Sequence, residues 1–147
     1  TSFAKTYHKE IICIATNIYW EARNQPVSGM LAVGMVTRNR VERDIFPDTF
    51  CKVIYEAKMS AWWKKTHNKD VPIRNKCQFS WFCDGMSDNP EDSKTWVKSL
   101  DVAFDVLNNK YGDITEGATH YHSIMVEPYW SSSLNETVQI TDHIFYK

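Results

Sequence analysis

Glycine is scarce in this sequence: 147 residues hold five, and none are clustered. There is therefore no glycine-rich cradle for a phosphate or a dinucleotide. Basic residues never run beyond Lys64-Lys65, and 17 Lys+Arg stand against 18 Asp+Glu, so neither a basic run nor the net charge points to nucleic acid. No apolar stretch approaches the ~18 residues of a membrane helix. The segment Thr1 to Glu10 has no signal-peptide hydrophobic core, so either the chain is not exported by that route or a leader has been removed. C-x-x-C is missing, which argues against thioredoxin chemistry and a zinc ribbon. No G-x-S-x-G elbow surrounds Ser80 or any other serine. Internal repeats, low-complexity segments and linkers are also missing, so residues 1–147 read as one unit of ordinary domain length.

Aromatic side chains are abundant, with 6 Trp, 7 Tyr and 7 Phe. They fit a large rigid core and equally a groove that stacks rings on sugar or base faces. The four cysteines, Cys13, Cys51, Cys77 and Cys83, allow three pairings, and free buried thiols fit a chain of this size as well.

Helical periodicity comes first. Ile11, Ile14, Ala15, Ile18 and Ala22 form one stripe and predict a helix from about Thr6 to Arg23. A second helix from Pro26 to Glu42 is apolar nearly all round, as a central buried helix is. Its Arg38, Arg40 and Arg43 suit the negative end of a helix dipole. A short helix follows from Thr49 to Glu56. The stretch Ala57 to Lys76 reads as a short helix and a long surface loop. Asp88-Asn89-Pro90 opens a helix reaching Asn108, with Trp96, Leu100, Ala103, Phe104 and Leu107 as its stripe. After Gly117 the period changes to two: Ala118 to His122 reads as a strand, and Val138, Ile140 and Ile144 suggest a second. The class is α+β, a helical body with a small antiparallel sheet.

Three constellations carry chemistry. Glu21 falls at the edge of the first apolar stripe, where partial desolvation raises a carboxyl pKa toward that of a general acid. Asn17, one turn earlier, can hydrogen-bond it or a ligand. Alternatively, Glu21 pairs with Arg23 or Arg38. His120 and His122 share one strand face, and with His143 they form a candidate zinc set for a metal-dependent amidase; hydrogen bonding within the fold is the other reading. Gln78-Phe79-Ser80-Trp81 combines rings with short polar groups, which suits a saccharide groove or a core strand.

Taken together, several segments resemble one family. They are Tyr19-Trp20-Glu21-Ala22-Arg23, Asn39-Arg40-Val41, Phe46 to Tyr55, Gln78-Phe79-Ser80-Trp81, Cys83-Asp84-Gly85, Tyr121-His122 and His143 to Tyr146. In this order they resemble the spore-cortex-lytic type of cell wall hydrolase, over nearly the whole chain. Trp20 departs from the family's usual Gly, and Ser123 from its usual Asn.

The resemblance implies a lysozyme-like, lytic-transglycosylase-like fold. It also implies cleavage of the MurNAc–GlcNAc β-1,4 bond of a peptidoglycan glycan strand, with Glu21 as catalytic acid. Gln78, Phe79, Ser80, Trp81, Tyr121, His122 and His143 are the expected substrate contacts. One Glu suffices if the muramic acid 6-hydroxyl attacks C1, leaving a 1,6-anhydromuramoyl end. Hydrolysis would need a second carboxylate, for which Asp84, Glu42 and Glu127 are candidates. Cys51–Cys83 is the favoured bridge by the same resemblance. The bare domain is similar to bacteriophage endolysins. It is expected to be made in the host cytoplasm and to act on the wall, in periplasm or outside the cell. It should work as a monomer, without cofactor, metal, nucleic acid or membrane insertion. The competing readings are a zinc-dependent amidase using His120, His122 and His143, and a non-catalytic glycan-binding module.

Overall fold

The computed structural model describes residues 2–147; Thr1 lies outside them. Five helices are α1 (Ser2–Ala22), α2 (Val27–Val41), α3 (Phe50–Ile54), α4 (Ala61–His67) and α5 (Ser93–Leu107). Five strands are β1 (Ala57–Met59), β2 (Pro72–Cys77), β3 (His120–Ser123), β4 (Glu136–Ile140) and β5 (His143–Tyr146). Two 3-10 turns cover Ser80–Cys83 and Tyr129–Ser133. Among the described residues no helix is long and apolar enough to cross a membrane.

Helix α2 is the centre, as its all-round apolar character predicts. Gly29, Met30, Ala32 to Thr37, Asn39 and Arg40 are buried. One side packs on α1 and α5 through Ile14, Ile18, Met30, Val33, Val102, Ala103 and Val106. The other side meets the three-stranded sheet through Ala32, Val36, Ala118 and Phe145. That sheet runs β3-β5-β4, antiparallel throughout, with Tyr121 opposite Phe145 and Ser123 opposite His143. The single strand expected near residue 140 is thus a hairpin. Its Thr141 adopts φ 51°, and Thr141 Oγ1 donates to Gln25 Oε1 at 2.7 Å.

Gly34 sits where α2 and α5 approach most closely. A Cβ there would lie 2.6 Å from Val106 Cγ2 and 3.2 Å from Ile18 Cδ1. Gly34→Ala should cost up to about 2 kcal/mol, because overpacking of about 1–3 kcal/mol is offset by a gain in helix propensity of about 1. Chemical denaturation checks this, and an unchanged or raised midpoint would show that the α2–α5 seam gives way.

Four expectations need correction. Of the expected α5 stripe, Ala103 is buried and Trp96, Leu100 and Leu107 pack against the core, but Phe104 is half exposed, and Ser99, Val102 and Val106 complete the buried face. Close approach at Gly34 selects the smaller valines. Helix α5 also starts later, at Ser93, because Asp92 Oδ1 accepts from Thr95 N at 2.7 Å and caps it. Strand β3 starts at His120, since Asn39 and Arg40 take the carbonyls of Ala118 and Thr119. Finally, the long loop is a hairpin of β1 and β2 with α4 at its tip.

The thiols are neither free nor bridged as Cys51–Cys83. Cys13 bonds Cys51, and Cys77 bonds Cys83. The first joins α1 to α3 beside Glu10, whose carboxylate accepts from Phe50 N and Cys51 N. The second closes a short loop from β2 into the Ser80–Cys83 turn.

Candidate active site

Residues 19–21, on the last turns of α1, each take a different task. Tyr19 is buried, and its hydroxyl accepts from Glu91 N and Asp92 N at 2.8 and 3.2 Å. The Trp20 indole donates to Asp88 O at 2.8 Å. Together they tie the segment 88–92 to α1, so Asp88-Asn89-Pro90 stays outside the helix, and its neighbours Ser87 and Glu91 line a cavity with Glu21.

Three cavities meet at Glu21. One of about 410 Å³ is bordered by Trp20, Ser80, Asp84 and Met86. A second of about 370 Å³ reaches Gln25, Ser123, Asp142 and His143. A third of about 180 Å³ is lined by Arg40, Gln78, Phe79, His120, Tyr121 and Trp130. A carboxyl at the junction of an extended groove is placed to touch the middle of a chain-like ligand.

Among the described residues Glu21 has no arginine partner. Arg23 pairs with Glu91 at 3.3 Å. Arg38 pairs with Glu42 and donates to the last carbonyls of α5, Val106 O and Leu107 O. Instead the Tyr121 hydroxyl donates to Glu21 Oε1. Burial pushes the Glu21 pKa above the usual carboxylate value, and the Tyr121 hydrogen bond only partly opposes this. Burial, and then the Glu21 charge, push Tyr121 well above the usual phenol value, so it stays a donor. This hydroxyl, expected to meet a sugar, is directed at the acid.

Tyr121→Phe should keep the fold and lower kcat by about 10- to 100-fold, the range of a hydrogen bond to a charged group, about 1.5–3 kcal/mol. Tyr121→Ala should cost stability as well, because the ring packs on Phe145. Unchanged turnover on purified peptidoglycan in Tyr121→Phe would reduce Tyr121 to a packing residue.

Arg40 is the residue that sequence reasoning passed over as a dipole partner. It is buried, donates through Nε to Thr119 O at 2.8 Å, and lies over Phe46 and Phe79. In the amide orientation its donors select, Gln78 Oε1 accepts from Arg40 Nη1 and Nη2 at 3.0 and 3.2 Å. Gln78 therefore holds a buried cation at the cavity wall. Asn17 is likewise redirected: its Oδ1 accepts from Trp81 Nε1 at 2.9 Å, not from Glu21.

Phe79 and Trp81 are 4% and 5% exposed, so they are core rings that back the groove. They do not alternate along a strand, because Trp81 lies in the Ser80–Cys83 turn. Ser80 is exposed at the cavity edge. His143 lines the second cavity, and burial lowers its pKa, which favours the neutral ring. His122 lines none of the three; its Nε2 meets the Tyr146 hydroxyl at 2.8 Å. The register explains why the histidines do not converge. His120 and His122 share a sheet face with Tyr146 and Trp130, whereas His143 sits with Tyr121 on the other. Among the described residues no group of three His, Cys, Asp or Glu is placed to hold a metal.

Of the suggested second carboxylates, Asp84 lines a cavity with Glu21, but Glu42 and Glu127 line none. Glu91 and Asp142 stand at the cavity edges too. Each edge carboxylate has a partner: Asp84 the Met86 amide, Glu91 Arg23, Asp142 Gln25.

Comparison with known proteins adds to this geometry. Over 94% of its length the chain is similar to the catalytic domain of the germination-specific lytic transglycosylase SleB from Bacillus anthracis. The identity is 25%, the TM-score 0.68, and 93% of that domain is covered. The catalytic domain of the Bacillus cereus SleB protein shares the fold, at 23% identity and TM-score 0.63, over 95% of this chain and 91% of that one. A stretch of 47 residues is 43% identical to the spore cortex-lytic enzyme of Oceanobacillus iheyensis; it makes up 32% of this chain and 17% of that enzyme. The sequence model of the cell wall hydrolase family matches residues 24–146, beginning three residues past Glu21. With that match over most of its length and a fold shared with two solved catalytic domains, the chain belongs to the cell wall hydrolase family, of the spore-cortex-lytic type.

Proposed function

We propose that the chain cleaves the β-1,4 bond between MurNAc and GlcNAc in peptidoglycan as a lytic transglycosylase, with Glu21 as the single acid and base. One observation carries the reading: a half-buried carboxyl with a raised pKa, in no ion pair among the described residues, sits where three cavities meet, held by one phenol donor. The activity named for the Bacillus anthracis domain points the same way.

The steps balance without water or cofactor. Glu21 gives its proton to the glycosidic oxygen, and the bond from that oxygen to muramic acid C1 breaks. The 6-hydroxyl oxygen of the same muramic acid bonds to C1. The Glu21 carboxylate then takes the hydroxyl proton and is ready for another cycle. Tyr121 fixes the carboxyl's direction, and Trp20 and Ser80 flank the strand on one side of Glu21. His143 and Ser123 flank it on the other. Glu21 lines all three cavities, whereas Asp84, Glu91 and Asp142 each line one of them, which favours a one-carboxylate transglycosylation over a two-carboxylate hydrolysis.

The helical body and sheets would act as one catalytic unit and as a monomer. The endolysin role belongs to the same proposal, since cutting the glycan strands is enough to weaken the wall. Mass spectrometry of the muropeptides released from purified sacculi is the test. Anhydromuramoyl ends are expected. Reducing ends would mean hydrolysis. Free peptides, lost on adding chelator, would mean the amidase, and binding without release would mean a glycan-binding module.

A further inference from the structure

The arm from Ala57 to Cys77 contributes no residue to the cavities around Glu21. Its helix α4 is capped at both ends: Ser60 Oγ accepts from Trp63 N, and Asn68, at φ 52°, closes the last turn. Yet none of its residues is buried against the body. A helix so ordered, and so little packed, is built to present its side chains.

Those side chains are unusual. Trp62 is 60% and Trp63 37% exposed. Their rings meet edge to face, at 5.1 Å between centroids, and His67 lies against both. Around them the arm carries Lys58, Lys64, Lys65, Lys69, Arg74 and Lys76 against the single carboxylate Asp70. That is a net +5 in a chain of formal charge −1, which leaves the other residues at −6. Only Lys64 is neutralised, by Asp70 at 3.4 Å; Lys58, Lys65, Lys69 and Lys76 form no ion pair among the described residues. An exposed aromatic cluster on an arm with excess positive charge marks an interaction surface.

We propose that this arm docks a polyanionic wall polymer, a chain of polyol or sugar units joined by phosphodiesters, next to the catalytic groove. Charge complementarity selects a polyanion. Lysines dominate, and a lysine acts as a point charge suited to phosphates whose positions vary, whereas fixed carboxylates are gripped better by the arginine fork. The exposed indoles offer flat faces for the units between phosphates. A bilayer fits less well, because an interfacial helix needs a broad apolar face, and here two rings sit among cations. The arm's root is suitably placed: Gln78, directly after Cys77, lines a cavity with Glu21, and Cys77–Cys83 ties that root to the turn carrying Ser80. The choice of polymer rests on the wall-directed reading above; the surface itself does not.

Co-sedimentation tests it with three probes: walls bearing the phosphodiester polymer, the same walls stripped of it by hydrofluoric acid, and vesicles containing phosphatidylglycerol. Wild type and Glu21→Gln should pellet equally with decorated walls, and binding should weaken steeply with salt. Stripping the walls should lower affinity about 10-fold, as should the combined Lys58→Gln, Lys65→Gln and Lys69→Gln changes. Trp62→Ala with Trp63→Ala should weaken binding by about 10-fold as well. Turnover of short soluble glycan fragments should be untouched by either set. Equal binding to decorated and stripped walls overturns the proposal. So does binding that the lysine changes leave intact, and so does arm-dependent capture by vesicles but not by decorated walls. Because Glu21→Gln separates docking from cutting, a failed cleavage reading would leave the docking result standing.

Discussion

Glu21→Gln should leave the fold intact and lower wall-lytic turnover by at least about 10²–10⁴-fold, the usual worth of a general acid or base. Here one group serves both proton transfers, so the upper end is expected. Gln keeps the size of Glu and can still accept from Tyr121, but it has no proton to give. The raised pKa adds two checks. In the wild type the active, protonated acid persists above the ordinary carboxylate value, so kcat/KM should decline as pH rises through the raised pKa. Residual activity in Glu21→Gln should lack that decline. Stability should move the other way. Ionising the partly desolvated Glu21 costs the folded state, so Glu21→Gln should be more stable than wild type near neutral pH. The difference should vanish below about pH 4.5, where the group is protonated both folded and unfolded. Near-normal lysis by Glu21→Gln would refute the mechanism, and equal stability at neutral pH would refute the desolvation argument.

Removing the Cys13–Cys51 bridge should have the largest effect on stability. The bridge spans a sequence separation of 38 residues, and on chain entropy alone its loss from the unfolded state costs about 4 kcal/mol. For a chain of this length that is a drop in Tm of roughly 10 °C. Cys77–Cys83 spans only 6 residues, so the same reasoning gives about 2 kcal/mol. Cys13→Ser with Cys51→Ser should therefore melt well below Cys77→Ser with Cys83→Ser. The folded α1–α3 seam keeps Glu10 on the α3 amides in either case, so turnover well below Tm should survive. Thermal unfolding of the two pairs, with and without reductant, decides it; equal melting temperatures would show that loop length does not govern their contributions.

The helices of the body are legible in the sequence because their cause is local. Ile14, Ile18 and Ala22 repeat at helical spacing, and α2 is apolar all round because it is covered on both sides. What escaped depends on partners distant in sequence. The start of α5 is set by Asp92 and by the hold that Tyr19 and Trp20 keep on residues 88–92. The strands β1 and β2 have no alternating apolar face to betray them, since most of their residues point to solvent. Glu21 was legible as a carboxyl at the edge of a stripe. That Tyr121, a hundred residues later, supplies its only hydrogen bond among the described residues needed the fold. Arg40 was misjudged for a related reason: on a helix, a terminal arginine suits the dipole, and only the cavity beside it shows that this one is buried.

The sheet order has a consequence for when the enzyme can exist. Strand β3, which aims Tyr121 at Glu21, pairs only with β5, and so does β4. The central strand is therefore the last of the three to be synthesised. At roughly 5–20 residues per second, ribosomes finish the helices and the acid well before residues 143–146 emerge. Until then β3 has no neighbour, and nothing orders the phenol against the carboxyl. A nascent or prematurely terminated chain would carry Glu21 without the Tyr121 hydrogen bond that orients it, so the proposed catalytic pair forms only once the sheet is complete.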